Sequence, residues 1–127
     1  MMLVDRTEQM QQRVNHDARL VWRGRFVNTT FLIEVGETSH LVEVLAGQIK
    51  SIRPGPFVMP SWSFALRAVP EAWEKFCSAE PPPGFHDLFA LTKRRVLRIE
   101  GDIYPFMSNL YYFKCVMATL RPVVVTP

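Results

Sequence analysis

Three prolines fall within the seven residues 54–60, in the run Arg53-Pro54-Gly55-Pro56-Phe57-Val58-Met59-Pro60. Proline has no N–H to give to a ladder, so no central strand can pass through this stretch. It divides the chain into a first part rich in strand patterns and a second part rich in helix patterns.

Before the break, residues 5–16 read as a lightly docked surface helix, with Asp5 as cap and Glu8 three residues on. Leu20-Val21-Trp22-Arg23 is a short, ambiguous strand. Residues 29–35, 40–45 and 49–53 then alternate apolar and polar positions, with Phe31, Ile33 and Val35 sharing one face, and Val42 and Val44 sharing another. Gly36-Glu37-Thr38-Ser39 and Ala46-Gly47-Gln48 are the turns between them. Strands joined by turns this short pair antiparallel. Beyond the break, residues 63–69 form a strand and Pro70 opens a helix at its favoured first position. A helix over 85–94, a strand over 96–100 with Leu97 and Ile99 inward, and a helix over 103–120 follow. Strands come mostly first and helices later. The fold class is α+β, with helices on one face of a sheet.

At 127 residues the chain supports one domain, 1–127, with an N-terminal helix inside 1–18 and a tail at 122–127. The net charge of +3 is weak for a nucleic-acid binder, and no RNA-recognition or helix-turn-helix signature accompanies it. Two cysteines, Cys77 and Cys115, stand outside any metal or redox spacing and suit a reducing, cytoplasmic setting. The opening residues lack the apolar run of a signal peptide. Residues 103–120 are short for a membrane span and contain Pro105 and Lys114.

Chemistry-bearing patterns are sparse. His16, His40 and His86 read as surface or capping residues, and no motif links them to a nucleophile. Glu71 and Glu74 read as a solvated helix start, and Glu34 and Glu43 as an outward pair. No spacing suits a metal. The densest basic run is Lys93-Arg94-Arg95-Val96-Leu97-Arg98, a helix end or a patch for an anionic headgroup, with Lys93, Arg94 and Arg95 as its candidates.

The abundant feature is aromatic: nine Phe, three Trp and three Tyr. Most fall on helix faces from Trp73 onward and on the strand faces that should meet them. Phe64, Leu66, Trp73, Phe76, Phe85, Leu88, Phe89, Phe106, Leu110, Phe113 and Met117 either line an apolar ligand pocket or form the core itself.

Three stretches, in this order, resemble the sterol carrier protein type 2 family. They are the meander from Phe31-Leu32-Ile33-Glu34-Val35 to Gly47-Gln48-Ile49, the strand Ser63-Phe64-Ala65-Leu66-Arg67-Ala68-Val69 leading to Ala72-Trp73-Glu74, and Arg95-Val96-Leu97-Arg98-Ile99-Glu100-Gly101-Asp102 before an apolar final helix. The likeness covers residues 30–121. Where that family often carries Gly-Lys-Leu before the last strand, this chain has Arg94-Arg95-Val96. The resemblance implies a five-stranded mixed sheet with helices over one face, enclosing an apolar tunnel. It implies a carrier of fatty acids, acyl-CoA or sterol-like molecules, with no catalytic residues, no cofactor and at most transient membrane contact. Two other readings stay open: an interaction or homodimerisation domain with a closed cavity and an exposed aromatic patch on the last helix or around Trp62, and a small enzyme using Tyr104 or Tyr111 on an apolar substrate.

Overall fold

The computed structural model describes residues 3–57, 61–78 and 80–121. The strands are β1 (Asn28–Val35), β2 (Thr38–Leu45), β3 (Gln48–Pro54), β4 (Phe64–Ala68) and β5 (Leu97–Gly101). They form one sheet in the order β3-β2-β1-β4-β5. The meander β1-β2-β3 is antiparallel, as its short turns require. Strand β4 joins the other side of β1 in parallel, and β5 closes antiparallel on β4. The expected five-stranded mixed sheet is therefore present.

The proline-rich connection explains this order. Chain leaving edge strand β3 must pass β2 and β1 to reach β4. At its two ends Phe57 and Trp62 pack on Leu32, Leu41 and Ala65, which all point to the same outer face of the sheet. Val58, Met59 and Pro60 lie outside the described residues.

The helices are α1 (Leu3–His16), α2 (Ala18–Arg23), α3 (Pro70–Phe76), α4 (Leu88–Lys93), α5 (Tyr104–Ser108) and α6 (Leu110–Ala118). They share one core with the inner strand residues Phe31, Ile33, Val42, Val44, Phe64, Leu66 and Leu97. Rings set its geometry. Phe31 and Phe64 stack across the β1–β4 ladder at 5.1 Å, and Phe113 of α6 meets both edge-on at 5.6 and 5.2 Å. Phe106 of α5 stands edge-on to Phe64 at 5.4 Å.

Four local expectations are corrected. Helix α1 begins at Leu3, so Asp5 lies inside its first turn and does not precede it. The helix is also more than lightly docked: Thr7, Met10 and Val14 are buried, and its Gln11 and Asn15 side chains bond the backbone of Ile49 on β3. Residues 20–23 are helical, because Asp17 caps them by accepting from the Leu20 N–H at 3.1 Å. The apolar stretch 103–120 is two helices. Asn109 leaves helical geometry (φ −128°, ψ 38°) and its side chain donates back to the Pro105 carbonyl at 3.0 Å.

Sheet and helices are pinned at one point by a turn. The Tyr112 hydroxyl of α6 donates to the Gly47 carbonyl in the β2–β3 turn at 2.6 Å, and burial pushes its phenol well above the usual value. Gly47 has φ +80°, and a Cβ there would lie 2.5 Å from the Val21 carbonyl oxygen. Left-handed strain and a backbone collision would add together at this site. Gly47→Ala is expected to cost about 2 kcal/mol or more, read by urea unfolding. A loss under about 0.5 kcal/mol would show that the turn relaxes freely.

Candidate functional site

The sequence between α4 and β5 builds an open cleft. Helix α4 ends in a double closure: the Thr92 carbonyl accepts from Arg95 N–H at 2.9 Å, and the Leu91 carbonyl from Val96 N–H at 3.1 Å. This pattern normally places glycine in the left-handed position. Here Arg95 occupies it at φ +63°, a conformation that costs a side-chain-bearing residue about 1–2 kcal/mol. The turn starts β5, which Gly101 ends at φ +91°, where a Cβ would lie 2.6 Å from the Ser63 carbonyl oxygen. Asp102 then bonds back to Ser63 and accepts from Tyr104 N–H, starting α5.

Between these elements lies a cleft of about 690 Å³, open to solvent. Leu97 and Ile99 form its floor, and Phe89, Ile103 and Met107 its walls. Arg95, Arg98 and Glu100 stand at its polar margin beside Thr92. Ile103 and Met107 are 46% and 49% exposed, so apolar side chains face water here. A second cleft, of about 340 Å³, shares Arg95 and Arg98 and continues to Glu34 and Arg67.

The polar margin grades into a ladder of charge on the outer sheet face. Arg67 on β4 pairs with Glu34 on β1 and, at 2.9 Å, with Glu100 on β5. Arg98 reaches the other Glu100 oxygen at 3.4 Å. The alternation of β-strand side chains brings these residues together across three adjacent strands. Arg67 also lies over the Trp62 ring at 5.5 Å.

The residues singled out from the sequence divide into two sets. Phe64, Leu66, Trp73, Phe76, Leu88, Phe106, Phe113 and Met117 are buried in the main core, while Phe85, Phe89 and Leu110 are half-buried against it. Of the eleven, Phe89 lines the larger cleft, and its ring meets Phe106 edge-on at 6.3 Å. Trp73 donates its indole N–H to the Glu34 carbonyl at 2.8 Å. Among the basic candidates, Arg94 is held by the Pro83 carbonyl and the face of Phe85, Lys93 is exposed, and Arg95 reaches both clefts. Sequence reasoning missed Ile103 and Met107 as cleft residues. Their four-residue spacing, off the stripe through Phe106, Leu110 and Phe113, was the available signal.

His40 is not the surface residue its turn-side position suggests. It is 4% exposed on the inner sheet face, and neither ring nitrogen has a hydrogen-bond partner. Among the described residues, no group of three or more His, Cys, Asp or Glu side chains is placed to hold a metal ion, and no helix is long and apolar enough to cross a membrane.

An open five-stranded sheet with three antiparallel pairs and one parallel pair, with helices over one face, is the fold of sterol carrier protein 2. A crystal structure of sterol carrier protein 2 superposes with a TM-score of 0.75 at 10% identity, covering 94% of this chain and 96% of that one. The UbiJ-SCP2 ubiquinone synthesis protein matches with a TM-score of 0.58 at 16% identity, over 89% of this chain and 85% of that one. The stereoselective inverting sec-alkylsulfatase Pisa1 from Pseudomonas sp. matches with a TM-score of 0.54 at 10% identity, over 82% of this chain but only 14% of the sulfatase. No family model matches the sequence, and no curated protein matches it either.

Two predictions follow from the charged and buried polar groups. Arg67→Ala removes the partner of Glu34 and leaves Glu100 with Arg98 alone, and is expected to cost about 1–2 kcal/mol by denaturant unfolding. Arg98→Ala removes a 71% exposed side chain and should stay within about 0.5 kcal/mol. Equal effects of the two would refute a structural role for the ladder. For His40, burial holds the imidazole below its ordinary value of 6.5. Below pH 6.5 the unfolded chain takes up a proton that the folded state resists, so stability is full above pH 6.5 and declines as pH falls through it, until the lower folded value is passed. His40→Leu should flatten this part of the stability profile, and an unchanged slope would show that His40 is not its source.

Proposed function

We propose that this chain is a non-catalytic carrier module that holds a fatty acyl, acyl-CoA or sterol-like molecule by its apolar surface. The observation that carries the reading is the 690 Å³ cleft, whose floor and walls are apolar and whose back wall, Phe89, is continuous with the aromatic core. That volume falls in the ordinary range for small-molecule sites, roughly 300–1,000 Å³. Each ligand CH₂ removed from water contributes about 0.8 kcal/mol, so a long chain binds here with few polar contacts. Phe64, Leu66, Trp73, Phe76, Phe85, Leu88, Phe106, Leu110, Phe113 and Met117 form the packed layer behind this opening. A ligand penetrating deeper displaces that layer into a tunnel. The sterol carrier protein 2 fold supports the same reading. Cys77 and Cys115 are not joined in a disulfide, which suits a reducing compartment such as the cytoplasm.

Organic extraction of the purified protein followed by mass analysis should release lipid in near-stoichiometric amount. Met107→Trp fills the cleft from a half-exposed position and should weaken binding of a fluorescent fatty-acid probe about ten-fold with little change in unfolding free energy. Absence of both extracted lipid and probe binding would overturn the carrier reading.

A further inference from the structure

Arg95 is anomalous in three respects. It holds the left-handed backbone position at φ +63° that glycine occupies without strain. Its side chain is exposed and, among the described residues, makes no hydrogen bond or ion pair. It stands on the margin of both clefts. The neighbouring charges are already matched: Arg67 serves Glu34 and Glu100, and Arg98 serves Glu100. Arg94, one residue earlier, is occupied by the Pro83 carbonyl and the Phe85 ring. One unmatched guanidinium therefore remains beside an apolar floor. Strain kept at a residue whose side chain bonds nothing among the described residues is the pattern of a group held ready for something outside it.

We infer that Arg95 is the oxyanion-binding residue of the cleft, and that the ligand is a single-chain lipid ending in a carboxylate or a phosphate monoester. Its tail lies on Leu97, Ile99, Ile103 and Met107. Its head meets the Arg95 guanidinium, whose planar fork matches either oxyanion. This assignment rests on the carrier reading and adds the charge and orientation of the ligand.

The experiment is titration calorimetry of the full chain with oleic acid, oleyl phosphate and oleyl alcohol, which share one tail. The wild-type chain should bind at least one of the two anions about ten-fold more tightly than the alcohol, and the tighter anion identifies the head. Arg95→Gly should erase that preference, weakening the anion about ten-fold and leaving the alcohol unchanged. Its melting temperature should equal or exceed that of the wild-type chain, because glycine relieves the backbone. Arg95→Gln should lose the same preference without the change in backbone freedom, and Arg95→Lys should keep part of it. Equal binding of alcohol and anions by the wild-type chain, or a preference that survives Arg95→Gly and Arg95→Gln, overturns the Arg95 assignment and leaves the carrier reading standing. Failure of all three probes to bind the wild-type chain overturns both.

Discussion

Phe31 and Phe64 face one another across the parallel β1–β4 ladder, their rings nearly parallel at an interplanar angle of 5°. Strand β4 reaches that position only by way of the proline-rich crossover, so the stack records the topology in a single contact. The helical layer is then seated on it: Phe113 and Phe106 approach the pair by their edges, the arrangement favoured by ring quadrupoles. Phe89 touches Phe106 and so connects the cleft to the same stack. The position of α5, and with it the wall formed by Ile103 and Met107, follows from how Phe106 packs.

The two faces of the sheet divide the physical work. The inner face is apolar and carries the helices. Among the described residues the outer face carries a small apolar cluster under Phe57 and Trp62, and beyond it the charges of Glu34, Arg67, Arg98 and Glu100. Strand β5 belongs to both regimes, presenting Leu97 and Ile99 on one side and Arg98 and Glu100 on the other. A cleft bordered by β5 therefore has an apolar floor and a charged margin without any special device beyond strand alternation.

Much of the fold was legible because period-two patterns and glycine turns report local geometry directly. The meander, β4 and β5 all lie within a few residues of where their patterns place them. Residues 20–23 misled because Leu, Val and Trp suit a short buried strand as well as a helix; the deciding contact was the Asp17 cap, a side-chain choice that propensity does not weigh. The break at Asn109 was hidden by apolar residues on both sides. His40 stands beside a turn in sequence, whereas its burial comes from its place on the inner face of β2. The candidate site was less legible still. Eleven apolar side chains identify an interior, but which of them borders open space depends on how α4 and α5 dock, and one-dimensional patterning carries no such information. The basic run was visible, but its division into a tethered Arg94 and an untethered Arg95 required the turn geometry.

The two ends of the sheet are finished differently. At β3, the amide side chains of Gln11 and Asn15 bond the backbone of Ile49 and Lys50, so α1 closes that margin. At β5, no further strand follows in the ladder among the described residues. An unpaired strand with apolar residues on one side is a template for a second copy to add to, and charged side chains along it are the usual deterrent. Arg98 supplies such a charge in the first half of β5, and the turn at Gly101 ends the strand after five residues. The guanidinium of Arg98, which borders the cleft, thus also sets a charge along the open edge of the sheet.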